Sequence, residues 1–126
     1  MQPNLESASN LIEASRVQGV NVYSRTGEKL GTVDDIMIEK RSGKAAYAIM
    51  SFGGILGIGK DYHPLPWSMM TYDPTLGGYV VNIDPTVLEG APAYAAGAAP
   101  RWGDQTYEEG VHRYYGAPPY WGDAWM

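Results

Sequence analysis

The stretch from Ser51 to Trp67, SFGGILGIGKDYHPLPW, limits the possible folds most severely. Four glycines, Gly53, Gly54, Gly57 and Gly59, fall within seven residues, threaded with Phe52, Ile55, Leu56 and Ile58. Glycine tolerates positive φ and close backbone approach, so this run predicts sharp reversals rather than a helix. Pro64 and Pro66 follow within Tyr62–Trp67. Proline fixes φ in the extended range and removes a backbone donor, which suits an edge strand or a barrel corner. The stretch therefore reads as a glycine-built connection feeding a proline-marked strand.

The flanking sequence is a series of short strands separated by turn residues. Val17–Tyr23, Leu30–Lys40 and Ala45–Ser51 are expected strands, joined by Arg25-Thr26-Gly27-Glu28 and Arg41-Ser42-Gly43-Lys44. Gly31 and the Asp34-Asp35 pair interrupt the second, which predicts a bulge. Tyr47 and Ile49 alternate with Ala46, Ala48 and Met50, so the third strand is apolar on both faces. Tyr62–Trp67, Met69–Tyr72 and Tyr79–Ile83 supply three more strands, with a Pro/Gly turn at 73–78. Asn10 and Glu13 have capping-box spacing, predicting one helical turn. Asp84-Pro85 starts another, with Ile83 and Leu88 at staple spacing. Six short strands predict an all-β fold, a small antiparallel barrel spanning residues 10–94 behind a loose segment 1–9.

The composition changes beyond Ala91. Residues 91–126 hold one branched aliphatic residue, Val111, but eight of the fifteen aromatics in the chain. Ala91–Pro100 reads as a linker to an aromatic extension, 95–126. Within it, Thr106 and Glu109 have capping-box spacing, and Tyr107, Val111, Tyr114 and Tyr115 share one face of a short helix near 107–115. Gly116 is a natural stop.

These features together resemble the PRC-barrel family. VQGVNVYSRTGEKLGTVDDIMIEKRSGKAAYAIMSFGG, LGIGKDYHPLPW and YVVNIDPTVLEGAPAY carry the resemblance over roughly residues 11–94. Its most specific pieces are Gly27-Glu28 followed by Gly31 and Val33, the Asp35 position, and the pairing of Leu56–Gly59 with Pro66-Trp67. The family includes the cytoplasmic domain of the photosynthetic reaction centre H subunit, a domain of a ribosome-maturation factor and stand-alone bacterial proteins, the group this chain is most similar to. The resemblance implies a small barrel used for protein–protein association, with no catalytic residues to carry over. The aromatic extension lies outside the family pattern.

Chemistry-bearing groups are sparse. Gly54–Lys60 has phosphate-loop spacing, but Asp61 stands where a magnesium-binding hydroxyl is needed, and the prolines oppose a following helix. A small-ligand or anion module using Gly-rich loop 53–60 is therefore the alternative to association. A metal-assisted enzyme using Asp35, Glu39 and His63 is the more distant one. Strand alternation sets Asp34 opposite Asp35 and Glu39, leaving two carboxylates to converge. His63 reads as a hydrogen-bonded barrel histidine. No nucleophile motif or cysteine is present, and Lys40, Arg41 and Lys44 make a weak basic tip. Catalytic, cofactor and metal residues are each expected to be none.

The net charge of −5 argues against nucleic acid. No apolar run is long enough to span a membrane, and MQPNLESASN has no basic or apolar leader region, so a cytoplasmic protein is expected. The residues expected to matter for structure and association are the four loop glycines, Pro66, Trp67, Trp102, Tyr107, Val111, Tyr114, Tyr115 and Trp121. Aromatics bury about 150–250 Å² each, so a few docked together approach the ~800 Å² per partner of a standard interface. A homodimer tied by exchanged aromatic tails, with an unidentified protein as a further partner, is the expected assembly.

Overall fold

The computed structural model describes residues 11–52, 61–95 and 97–121. The glycines of loop 53–60 and residues 1–10 lie outside them, as does the Asn10 end of the expected capping box. The elements in chain order are α1 (Ala14–Val17), β1 (Asn21–Ser24), β2 (Lys29–Ile38), β3 (Ala45–Phe52) and β4 (Asp61–Pro66). A 3₁₀ turn at Trp67–Met69, β5 (Thr71–Asp73), β6 (Gly78–Val81), a 3₁₀ turn at Pro85–Gly90, β7 (Tyr94–Ala95) and α2 (Gln105–Tyr115) follow.

All seven strands form one sheet in the order β5-β6-β1-β2-β3-β4-β7. Every pairing is antiparallel except β1 with β6, where Val22 to Ser24 run parallel to Tyr79 to Val81. The expected all-β, barrel-type fold of about six strands is borne out, with a seventh strand, β7, and one parallel junction, β1 with β6, added to it. Among the described residues, no ladder joins β5 to β7 to close it. The first strand is also shorter than expected. Val17 ends the helical turn, and Gly19 N–H donates to Val33 O at 2.7 Å before regular pairing begins at Asn21.

One aliphatic core fills the curl. Val22, Leu30, Val33, Ala48, Met50, Leu65, Val81 and Leu88 are buried together, with Val17 from α1 and Tyr79 at its border. Leu88 sits in the 3₁₀ turn that Asp84 caps by accepting from Thr86 N–H at 3.0 Å. The prediction of a capped turn there holds, and the staple residue Leu88 is core. The Pro66-Trp67 pair is core-building too. Pro66 is buried opposite Tyr47, and Trp67 packs edge-on to Tyr79 with centroids 5.4 Å apart. Gly31 lets β2 press onto β3, since a Cβ there would stand 2.3 Å from Ser51 O.

Strand β2 bulges between Val33 and Asp35, where the sequence predicts it, and the register shifts again between Met37 and Ile38, where the extra residue, Ala46, lies on β3. The first irregularity re-aims two side chains that matter below.

Candidate functional site

Strand β3 is buried on both faces. Ala48 and Met50 point into the curl, while Tyr47 and Ile49 point outward into a second cluster with Ala46 and Val111. The cover is the aromatic extension. The segment expected to be a bare linker adds β7 to β4, with Tyr62 opposite Tyr94 and Asp61 opposite Ala95. This delivers Trp102 to Tyr47, ring centroids 5.9 Å apart. Helix α2 then runs over the same face. Asp104, not Thr106, is its N-cap, accepting from Thr106 N–H at 3.0 Å. Gly116 ends it at φ 67°, and Ala117 N–H donates to His112 O at 3.0 Å. Arg113 in the last turn suits the negative end of the helix dipole. The described part of the extension therefore packs on the sheet of its own chain.

Beneath the helix lies a buried polar network. Tyr47 Oη–H donates to Glu108 Oε1 at 2.9 Å, and His112 Nε2 lies 2.9 Å from the same hydroxyl. Gly103 N–H donates to Glu108 Oε2 at 2.7 Å, so both carboxyl oxygens accept. Glu108 is only 2% exposed. Burial above all, then the bond to Glu108, pushes the Tyr47 hydroxyl far above the ordinary tyrosine value. Burial and then Glu108 push Tyr120 up to about 12. Burial lowers His112, opposed by the Ala117 carbonyl 3.3 Å from Nδ1. A tyrosine held protonated and a histidine held neutral make a fixed tie between strand and helix at neutral pH.

The residues singled out from sequence divide between this face and the core. Val111 is fully buried on β3, and Tyr107 and Tyr115 pack beside it, with both hydroxyls buried and lacking partners among the described residues. Tyr114 is exposed instead, its hydroxyl donating to Val87 O, so the apolar face is rotated from the expected one. Trp121 packs edge-on to His112 at 5.3 Å.

His63 is buried at 3% exposure, but neither ring nitrogen has a hydrogen-bond partner among the described residues. That corrects the expected hydrogen-bonded histidine. Burial lowers its pKa, opposed by the Asp61 carboxylate. Asp35, Glu39 and His63 are not brought together, and no group of three possible metal ligands converges among the described residues. Glu39 lines one groove with Ser42, Lys44 and Tyr120. Asp34 and Asp35 line another, of about 310 Å³, with Tyr62, Tyr94 and Trp102. The β2 bulge breaks the alternation that would have set the two aspartates on opposite faces. Burial above all, then Tyr107 and Asp35, push Tyr94 up to about 12.

Sequence reasoning missed the Tyr47–Glu108–His112 network and this groove. The available signal was Glu108 and His112 at i, i+4, flanking Val111 on the face that packs.

The PRC-barrel domain matches the chain over residues 9–88. This chain belongs to the PRC-barrel family. The match ends at Leu88, so β7, Trp102 and α2 are additions beyond the matched domain. Among solved structures, the chain is similar to a putative 16S ribosomal RNA processing protein, RimM, from Pseudomonas aeruginosa. The two share 18% identity with a TM-score of 0.40, over 64% of this chain and 48% of that one. The chain thus spans about half the length of that protein. No curated protein matches it. Among the described residues, no helix is long and apolar enough to cross a membrane.

Proposed function

We propose that this PRC-barrel protein is a non-catalytic association module that pairs with a second copy of itself through the open β5 edge of its sheet. The observation that carries this reading is the β5–β6 hairpin. Strand β5 pairs with β6 on one side only among the described residues, and Tyr72 on it is 44% exposed. Leu76 at the hairpin turn is 40% exposed. An unpaired strand edge flanked by apolar side chains is a template for strand addition. Tyr72 packs edge-on to Tyr79 at 5.4 Å, which holds it in one orientation without covering it. Tyrosine set rigidly at a surface is a favoured interface anchor. Among the described residues the sheet has two one-sided strands, β5 and the two-residue β7, and β5 is the longer, with an exposed aromatic on it.

Light scattering of the full chain at high micromolar concentration tests the reading. The expected result is twice the chain mass, with Tyr72→Glu returning a monomer of unchanged circular dichroism. A monomeric parent chain, or a dimer indifferent to Tyr72→Glu and Thr71→Pro, would overturn it.

A further inference from the structure

The groove beside the β2 bulge has the chemistry of a site for an organic cation. Two of its walls are aromatic. Tyr62 and Tyr94 lie stacked with centroids 5.7 Å apart and planes 26° from parallel. Trp102 meets Tyr94 at 6.2 Å and 77°, so the rings turn a corner. Ile49, buried on β3, and Met37 add apolar surface. The remaining wall is anionic. The bulge between Val33 and Asp35 brings Asp34 and Asp35 to the same rim, both exposed. Asp35 Oδ1 accepts from Ile36 N–H at 2.8 Å, and neither aspartate has an ion-pair partner among the described residues. Among the described residues, no lysine or arginine lines the groove. Its volume, about 310 Å³, falls at the small end of the ~300–1,000 Å³ usual for ligand pockets.

We propose that this groove binds a methylated ammonium group. Ring faces attract a cation through their quadrupole when it sits within about 6 Å of the centroids. A quaternary ammonium suits this site better than a bare one. Its charge is spread over methyl groups that match the Ile49 and Met37 surface, whereas a compact ammonium is strongly hydrated and loses more on leaving water. The two carboxylates supply long-range attraction and exclude anions. Two carboxylates among aromatic rings offer too few oxygens for a divalent metal. The group could arrive as a free small cation or as a methylated lysine of another protein, and the chemistry recognised is the same.

Choline added to the full chain, followed by NMR at the Trp102 indole and the Tyr62 and Tyr94 rings, tests the assignment. The expected result is saturable shifts at those three residues. The neutral isostere, with carbon in place of nitrogen, should bind at least about tenfold more weakly if the cation–π and carboxylate terms operate together. Trp102→Ala should abolish binding. Because Trp102 also packs on Tyr47, the deciding variant is the exposed pair Asp34→Asn/Asp35→Asn, which should weaken choline several-fold while leaving circular dichroism unchanged. A peptide carrying trimethyllysine that binds tenfold more tightly than choline would assign the site to a protein side chain, and equal binding would assign it to a free cation. No saturable shift, shifts away from the groove, an isostere as good as choline, or an asparagine pair that binds as the parent does would each overturn the proposal.

Discussion

The two faces of β3 lead into cores of different chemistry. Inward, Ala48 and Met50 join Val22, Leu30, Val33, Leu65, Val81 and Leu88, a nearly all-aliphatic cluster made by residues 17–88. Outward, Tyr47 and Ile49 meet Val111 and a ring of aromatics, with a carboxyl group and an imidazole buried among them. The inner core is held by apolar burial alone, which depends on volume and tolerates similar shapes. The outer one adds directional bonds that are costly if broken, because the remaining partner is left buried and unsatisfied. The family segment, matched over 9–88, thus carries the general scaffold. The extension converts one face of it into a specific polar lock with a groove at its margin.

The largest expected effect separates global from local dependence. Leu65 is fully buried in the inner core on β4, the strand that also supports β7. Leu65→Ala should cost about 2–5 kcal/mol. Denaturant unfolding followed by circular dichroism should show that loss, with β1, β2 and α2 amides exchanging faster together. Val111→Ala should cost less, within the ~1.5–3 kcal/mol of burying a valine. Its faster exchange should be confined to α2 and residues 97–104. Equal effects of the two variants on β1 would show that the cores form one cooperative unit.

Next comes the polar lock. Tyr47→Phe keeps the ring between Trp102 and His112 but removes the donor to Glu108. A hydrogen bond to a charged group contributes about 1.5–3 kcal/mol, so a loss of that size is expected. Glu108→Gln keeps one acceptor but turns an amide N–H₂ towards either Tyr47 or Gly103 N–H, so it should also destabilise. A double-mutant cycle should give strong coupling between the two positions. Additive losses would show that Tyr47 and Glu108 are neighbours without being partners.

Those two regions also differ in how far the sequence revealed them. The inner core was legible because strand alternation, turn residues and the Ile83–Leu88 staple all agree on it. The bulge position, the Asp84 cap and the Gly116 stop were legible for the same local reasons. The parallel β1–β6 pairing was not, since nothing in alternation distinguishes a parallel neighbour from an antiparallel one. The outer site was half visible. Val111 and Tyr107 marked a packing face, but nothing local in the sequence tied Glu108 and His112 to Tyr47, more than sixty residues earlier. The Asp34–Asp35 rim was misassigned because one bulged residue flips every later side chain, and strand periodicity assumes none. Tyr94 looked like part of a linker because alanine, glycine and proline surround it.

A smaller effect tests how α2 is held. Asp104→Ala removes the acceptor for Thr106 N–H at an exposed helix start. The expected cost is about 0.5–2 kcal/mol, appearing as fraying of the first turn. Because Gly103 N–H and Glu108 lie in that turn, the Tyr120 and Trp102 resonances should shift with it. The inner core should be untouched. If Thr106→Ala proved the more damaging, the cap inferred from spacing would be the operative one.

The smallest effect concerns acid, and it reads both cores at once. His63 belongs to β4 beside the inner core and His112 to the outer lock, and burial lowers the pKa of each from 6.5. A lowered folded-state value means that the unfolded chain binds protons first as the pH falls. Their contribution to stability is thus fully present above about pH 6.5 and is lost as the pH falls towards the folded values. One proton per histidine caps the slope at about 1.4 kcal/mol per pH unit for each group. Carboxylates such as Asp84, whose pKa is lowered from 3.8 by its bonds to Thr86, act only in more acidic solution. Unfolding free energies between pH 7.5 and 5.5 therefore isolate the histidines. His63→Leu should remove its share of the slope without weakening Tyr47 or Glu108, because His63 makes no hydrogen bond among the described residues. His112→Leu should remove the other share while lowering stability at every pH, since Tyr47 loses a partner. A slope unchanged in His63→Leu would mean that His63 is solvated in solution. A stability increase on acidification would mean that the histidines gain partners as they charge, His112 with Glu108 through the Tyr47 hydroxyl being the pair placed to do so.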